Sequence, residues 1–210
     1  MSTPAAELME FGELSIAFDD RVLRPRPWTA AQSHWAAELM AALPAGPALE
    51  LCAGAGQIGL LAVQRARRAG VERPLVCVDL DPVACDYARR NAEAASLDEL
   101  VEVRQGRLEE ILAPAARFAL VIADPPWVPR DRTNTYPEDP LLAIDGGEDG
   151  LEVARACLQV AARHLLPGGA VILQVGTLEQ VERLRTESTG ELTMTEVRHG
   201  ERGVLVRLDR

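Results

Sequence analysis

The sequence lacks the features of a membrane or secreted protein. It has no uninterrupted apolar run of the roughly 18 to 20 residues that a membrane-spanning helix needs. The N-terminus carries Glu7 and Glu10 where a signal peptide would be basic. Cysteine is scarce and shows neither a Cys-x-x-Cys pair nor ligand spacing, so no disulfide framework and no metal site are predicted. We therefore expect a cytoplasmic protein with no membrane partner.

The chain is also poor in basic residues relative to acidic ones. It has 22 Lys and Arg against 32 Asp and Glu, a formal net charge of -10. Nucleic-acid binding by phosphate neutralisation relies on clustered basic side chains, and no basic stripe is present. A nucleic-acid partner is therefore less favoured than a protein or a small molecule. The negative net charge also favours solubility of the protein.

The 210 residues, 48% of them hydrophobic, are enough for one α/β domain. Alternating apolar residues at 14–18, a turn at Asp19-Asp20 and the run Val22-Leu23 predict a short hairpin. Helical spacing predicts a helix over 30–43. We expect residues 1–46 to form this hairpin and helix, packed on a core of residues 47–210 within one structural domain.

Strand and helix patterns alternate through the core. Strands are predicted at 48–52, 75–78, 101–103, 118–123 and 170–175, and helices at 57–69, 82–95 and 151–166. This alternation predicts a mostly parallel sheet covered on both faces. Two further strands, at 192–197 and 204–208, are expected to pair antiparallel. Residues 125–148 are predicted to be a long structureless loop, and its place after a strand end suggests a functional role.

A glycine-rich loop, Glu50-Leu51-Cys52-Ala53-Gly54-Ala55-Gly56, ends the first core strand and opens a helix. Glycines there let the backbone turn sharply and approach a ligand closely. Asp79 ends the second strand, where it can accept hydrogen bonds from ribose hydroxyls, while Asp81 is the expected cap of the next helix. The pattern also matches a dinucleotide fingerprint, so an NAD-dependent oxidoreductase is an alternative. Glu50 favours a positively charged cofactor, because an acid would repel a pyrophosphate.

The segment Asp124-Pro125-Pro126-Trp127 follows the strand at 118–123. The two prolines stiffen the backbone and remove two N–H donors, which leaves carbonyl oxygens as acceptors. With the Asp124 carboxylate, these oxygens can accept both hydrogens of a planar NH₂ group. Trp127 can cover the flat face of that group and exclude water. The segment therefore indicates chemistry at a planar nitrogen, for which a dinucleotide-binding enzyme has no use.

These motifs resemble those of class I S-adenosylmethionine-dependent methyltransferases with an Asn/Asp-Pro-Pro-Tyr/Phe/Trp motif. Within them, the chain is similar to the bacterial glutamine methyltransferases that modify peptide-chain release factors. The resemblance covers about residues 22–180 and includes the segments 22–29, 139–140 and 145–151, the last being specific to this branch. It implies a Rossmann-like class I methyltransferase fold, with a seven-stranded, mostly parallel sheet whose last strand is antiparallel.

The resemblance also implies roles for individual residues. The catalytic residues would be Asp124, Pro125, Pro126 and Trp127, with Asp124 and the Pro125 carbonyl holding the accepting nitrogen. Substrate contacts are expected from Arg26, Trp28 and Trp127. S-adenosylmethionine would be bound by the following residues: Glu50, Cys52, Ala53, Gly54, Gly56, Asp79, Leu80, Arg107, Leu108 and Asp124.

The chain departs from the family pattern in ways that bear on the acceptor. Asp124 and Trp127 replace the usual Asn and Tyr, a pairing closer to enzymes that methylate the exocyclic amine of adenine. Trp28 and Arg107 stand where the family usually has acids. Only 47 residues precede the strand at Ala48, so the separate helical domain that recruits release factors is expected to be missing.

Two main functional hypotheses and two remote ones remain open at this stage. The first is methyl transfer to a glutamine amide of a protein, or to a related amide or amine in a smaller molecule. The second is transfer to the exocyclic amine of adenine in RNA or DNA. An NAD-dependent oxidoreductase and a non-catalytic cofactor-binding protein are remote alternatives, the latter suggested by Arg107 and the missing recruitment domain.

Overall fold

Seven strands form the central sheet in a computed structural model, which describes residues 5–187 and 190–210. An N-terminal hairpin of β1 (Glu7–Phe11) and β2 (Leu14–Phe18) precedes them. The sheet strands are β3 (Ala48–Leu51), β4 (Leu75–Asp79), β5 (Val101–Gln105), β6 (Phe118–Ala123), β7 (Leu165–Val175), β8 (Thr193–His199) and β9 (Val204–Asp209). Their order is β5-β4-β3-β6-β7-β9-β8, and β9 runs antiparallel to both neighbours. The predicted sheet, with its antiparallel last strand, is confirmed.

Helices cover both faces of this sheet, as the alternating pattern predicts. They are α1 (Ala30–Ala42), α2 (Gln57–Arg68), α3 (Pro82–Ala94), α4 (Leu141–Ile144), α5 (Glu152–His164) and α6 (Leu178–Thr186). The hairpin, α1, α2 and α3 pack on one face, and α5 and α6 pack on the other. In β6, Leu120 and Ile122 face the first layer whereas Val121 and Ala123 face the second. Within the described residues, no helix is long and apolar enough to span a membrane.

The N-terminal hairpin differs from its prediction. Leu14–Phe18 is a strand, but its partner is Glu7–Phe11, on the other side of a turn at Gly12, and not Val22-Leu23. The Asp19 carboxylate is buried and accepts a hydrogen bond from the Tyr87 hydroxyl of α3 at 2.7 Å. This anchor and the Val22 N to Asp19 O bond turn the chain away from the hairpin.

Two regions contain more regular structure than expected. The predicted structureless stretch 125–148 includes a 3₁₀ helix, Arg130–Thr135, and the short α4. The predicted elements also omit α6, which begins at a capping box formed by Thr177 and Gln180. In addition, β7 begins at Leu165, five residues before the predicted start, and α5 ends at His164.

Candidate active site

A cavity of about 400 Å³ opens at the carboxyl ends of the parallel strands. Its walls come from the segments that follow β3, β4, β5 and β6, which is where ligands bind in open α/β sheets. The remaining wall comes from residues 21–23, from the segment around α4 and from one side of α5. Predicted site residues that line it are Cys52, Gly54, Asp79, Leu80, Arg107, Leu108, Asp124 and Pro126.

The glycine loop shapes one wall of this cavity. Cys52, Gly54 and Gly56 have φ values of 58°, 55° and 81°, so the chain turns tightly between β3 and α2. A side chain added at Gly54 would meet only the Gln57 Oε1 atom, at 3.9 Å. At Gly56 it would press on Ala88 of α3 at 3.3 Å. The Gly54 backbone is therefore open to a ligand, whereas Gly56 allows α2 and α3 to pack closely.

Asp79 joins the glycine loop to the end of β4. Its Oδ2 accepts a hydrogen bond from Gly54 N at 2.8 Å, and its Oδ1 accepts one from Asp81 N at 2.9 Å. Burial raises the pKa of this carboxyl, and the two backbone donors partly offset the increase. Asp81 caps α3 by accepting from Val83 N. Each oxygen accepts one of these two hydrogen bonds, and a carboxylate oxygen has two lone pairs, so Asp79, which lines the cavity, can accept further donors.

Glu50 lies behind the cavity wall, on the face of β3 that packs against α2. It is 2% exposed and accepts hydrogen bonds from Gly59 N at 2.9 Å and from the Cys77 thiol at 3.3 Å. Burial raises its pKa to about 7. Ala53 and Gly56 are likewise absent from the cavity lining. Direct contact of these three residues with a cofactor stays a prediction; in the structure they shape the loop.

Asp124 follows β6 and borders the same cavity as Gly54 and Asp79. Burial raises its pKa to about 7, and no described residue donates a hydrogen bond to its carboxylate. Asp124 is half-buried, and a carboxylate that is partly withdrawn from water without a donor gains from a ligand that supplies one. The structure places Asp124, Gly54 and Asp79 at one cavity, and the catalytic role of Asp124 stays a prediction.

Pro125 and Trp127 do not line the main cavity. The Trp127 ring lies against Gly176, just beyond β7, where a Cβ would overlap the indole. Trp127 is therefore placed on the β7 side of Asp124, opposite the glycine loop. Asp124 therefore lies between the glycine loop on one side and the Trp127 ring on the other.

Arg26 and Trp28 form part of a separate cluster near the start of α1, outside the cavity lining. The Arg26 guanidinium bonds both carboxylate oxygens of Asp139 at 2.6 Å. It also lies over the Trp28 ring, with Arg202 over the same ring at 5.3 Å from its centroid. The N-terminal segment is thereby fastened to the 125–148 segment, and the predicted substrate contacts of Arg26 and Trp28 stay predictions.

Several residues of the site were not singled out from the sequence. Gln57 lines the cavity, and its Oε1 is buried without a hydrogen-bond partner among the described residues. Leu142 of α4 lines it too, with 58% of its surface exposed. Two buried glutamines, Gln32 and Gln180, hold backbone carbonyls around Asp124. Only Gln180 had a sequence signal, the Thr-x-x-Gln spacing of a capping box.

Comparison with known proteins identifies the family. Residues 50–207 match the model of UPF0020, the RMKL-like methyltransferase domain. The chain is 34% identical over 171 residues to the release factor glutamine methyltransferase of Deinococcus radiodurans, covering 80% of this chain and 59% of the relative. It is 36% identical to the ribosomal protein uL3 glutamine methyltransferase of Bradyrhizobium diazoefficiens, covering 61% of this chain and 40% of that relative. The chain thus spans about half the length of these relatives.

Solved structures support the fold. The hMettl16 catalytic domain, in complex with a MAT2A 3′UTR hairpin, superposes with a TM-score of 0.68 at 17% identity, covering 93% of this chain and 74% of that one. The Pyrococcus abyssi tRNA (uracil-54, C5)-methyltransferase, in complex with S-adenosyl-L-homocysteine, gives 0.62 at 14% identity, covering 97% of this chain and 44% of that one. The predicted enzyme class is confirmed: the chain belongs to the RMKL-like methyltransferase domain family.

Proposed function

We propose that the protein is an S-adenosylmethionine-dependent N-methyltransferase whose acceptor is a planar nitrogen, specifically the side-chain amide of a glutamine in a protein. The observation that carries this proposal is the half-buried Asp124 carboxylate, which borders the cavity beside Gly54 and Asp79 and has no described donor. An acceptor NH₂ group would supply the missing donors.

The residues around the cavity fit the proposed cofactor. Its volume of about 400 Å³ lies within the range of small-molecule sites. Asp79 would accept hydrogen bonds from the ribose hydroxyls, and Leu80 and Leu108 would pack against adenine. The open backbone at Gly54 would accommodate the methionine part. When bound, S-adenosylmethionine supplies a methyl group already activated by its positively charged sulfur.

On the acceptor side, the protein has to orient the nitrogen rather than activate it strongly. The Asp124 carboxylate and the Pro125 carbonyl would each accept one amide hydrogen. These bonds fix the plane of the amide and raise electron density on its nitrogen. The indole of Trp127, held against Gly176, would border the acceptor and limit access of water.

A protein acceptor is favoured over RNA by two observations. The two curated relatives are named as glutamine methyltransferases of a release factor and of a ribosomal protein. The net charge of -10 also opposes nucleic-acid binding. The second candidate, the exocyclic amine of adenine, is favoured by the Asp and Trp of the Asp124–Trp127 segment and by the RNA-bound structural neighbour.

Transfer of a radiolabelled methyl group from S-adenosylmethionine tests the proposal. The purified protein is incubated separately with total protein, total RNA and a small-metabolite extract, and Asp124→Ala serves as the inactive control. We expect label in protein, at glutamine side chains after hydrolysis and chromatography. Label confined to RNA would establish the second candidate, and label in no extract would contradict methyl transfer to these acceptor classes.

Thermal-shift titration separates the remote alternatives. S-adenosylmethionine and S-adenosylhomocysteine are expected to raise the melting temperature, because a ligand that binds only the folded state stabilises it. NAD is expected to have no effect. Stabilisation by NAD alone would favour the oxidoreductase, and cofactor binding without label in any extract would favour a non-catalytic binding protein.

A further inference from the structure

Two buried glutamines stand at the two ends of the segment Asp124–Trp127. Gln32 of α1 is fully buried, and its Nε2 donates to Ala123 O at 2.9 Å and to Ile172 O at 3.1 Å. Gln180 of α6 is 6% exposed, and its Nε2 lies within hydrogen-bond distance of Trp127 O at 3.0 Å. One amide therefore holds the carbonyl just before the segment, and the other holds the carbonyl of its last residue.

The carbonyls between these two anchors are left available. Those of Asp124, Pro125 and Pro126 accept no hydrogen bond from any described backbone or side-chain group. Pro125 and Pro126 have no backbone N–H, so the segment cannot form additional backbone hydrogen bonds through these two residues. The Pro126 carbonyl packs against Gly146, where a Cβ would lie 2.6 Å from its oxygen, so the Asp124 and Pro125 carbonyls are the acceptors left between the two fixed carbonyls.

Each glutamine also ties the segment to a different part of the fold. Gln32 joins the last residue of β6 to Ile172 within β7 and belongs to the helix that follows Arg26 and Trp28. Gln180 reaches the carbonyls of Asp149 and Gly150 as well, and its Oε1 accepts from Gly176 N at 2.8 Å. The Trp127 ring and its carbonyl are thus held by the same short region beyond β7.

We propose that Gln32 and Gln180 are positioning residues for the methyl acceptor. By fixing the carbonyls of Ala123 and Trp127, they set the direction of the Asp124 side chain and of the free Pro125 carbonyl. They act through the backbone and touch neither acceptor nor cofactor. This inference rests on the proposed N-methyltransferase function. It predicts that loss of either amide donor slows transfer while cofactor binding is preserved.

Two substitutions remove the amide donors. Gln180→Glu retains an oxygen that can accept from Gly176 N and Thr177 N, but its second oxygen replaces the Nε2 donor and repels the Trp127 carbonyl. Gln32→Met keeps a similar length and removes the amide. Two matched controls test for a purely structural role. Ser33→Ala alters the neighbouring buried position, whose hydroxyl has no described partner. Thr177→Ala removes the side-chain cap of α6, which accepts from Gln180 N, but leaves the Gln180 side-chain amide and its bond to Trp127 O in place.

The assay is the initial rate of radiolabelled methyl transfer to the extract fraction that the wild-type protein labels, with titration by S-adenosylhomocysteine. We expect Gln180→Glu and Gln32→Met to lower the rate at saturating S-adenosylmethionine by about tenfold or more. Affinity for S-adenosylhomocysteine should stay within about twofold. Ser33→Ala and Thr177→Ala should keep the wild-type rate, even where Thr177→Ala lowers the melting temperature.

These measurements distinguish failure of this inference from failure of the proposed function. If the wild-type protein labels no extract, the proposed function fails and the inference falls with it. If it labels an extract and both glutamine variants keep its rate, the inference alone is overturned. Loss of folding or of cofactor binding in both variants would also overturn it, because the amides would then serve general stability. An equal loss of rate in Thr177→Ala would do the same for Gln180.

Discussion

Replacing Asp124 by Asn should stabilise the protein at neutral and alkaline pH. Burial raises the pKa of the Asp124 carboxyl from its ordinary value of 3.8 to about 7 in the folded protein. The folded state therefore binds this proton more tightly than the unfolded state does. The contribution of Asp124 to stability is then greatest below pH 3.8 and is lost progressively as the pH rises towards about 7. Above that pH the loss is complete and constant.

The size of this effect follows from the same two values. The difference between 3.8 and about 7, at about 1.4 kcal/mol for each pH unit, corresponds to about 4 kcal/mol. This is an upper limit, because the Asp124 side chain borders a cavity large enough for water. A domain of this size shifts its melting temperature by about 2 to 4 °C per kcal/mol, so the full effect would be roughly 8 to 16 °C.

Urea unfolding and thermal melts of both proteins, at several pH values between 4 and 8.5, measure the difference. We expect the stability gain of Asp124→Asn to be small near pH 4, to grow up to pH 7 and to stay constant above it. Glu50 also has a pKa of about 7, but it is present in both proteins and largely cancels in the comparison. A gain independent of pH, or a destabilised variant at pH 8, would refute the reasoning.

Four further substitutions test other parts of the site. Asp124→Ala should lower methyl transfer by about a hundredfold or more and leave S-adenosylhomocysteine affinity, measured by calorimetry, within about twofold. Asp79→Ala should weaken that affinity by about tenfold or more, because it removes both the expected ribose acceptor and the anchor of Gly54 N; unchanged affinity would exclude the ribose role. Gly59→Ala should cost about 2 to 4 kcal/mol in urea unfolding, since its Cβ would overlap Glu50 Oε2 and lie 2.8 Å from Leu75 Cδ2. Arg26→Ala should cost about 1 kcal/mol and speed proteolysis of the 125–148 segment, because Asp139 loses its ion pair; a wild-type cleavage rate would contradict the fastening role.

The sheet was predictable because its strands are short apolar runs with a simple burial pattern. β6 is buried at every residue, as a central parallel strand should be. β1 escaped prediction because only Phe11 of its five residues is buried, so no alternation marks it. α6 is mostly polar, and the core retains it through Val181 and Leu184. For α6, the capping residues would have been a better guide than periodicity.

The site was only partly predictable for a similar reason. Asp79 and Asp124 end buried strands, and the carboxyl ends of parallel strands converge at one edge, so their proximity could be expected. The burial of Glu50 depends on Gly59 and Cys77, and α2 has to pack before that environment exists. The contact of Gln32 with Ala123 joins positions 91 residues apart. Hydrophobic periodicity in a single sequence does not indicate that a buried glutamine will bond a backbone carbonyl so far along the chain.

The strand order has a consequence for how this enzyme family can diversify. Residues expected to hold the cofactor follow β3, β4 and β5, whereas Trp127 and its supports follow β6 and β7. The two sets meet at Asp124 and Pro126, which line the cavity beside Gly54 and Asp79. Mutations in the segments after β6 and β7 can therefore accumulate with little effect on the segments after β3, β4 and β5. New acceptors could be acquired during evolution in this way while the methyl donor is retained.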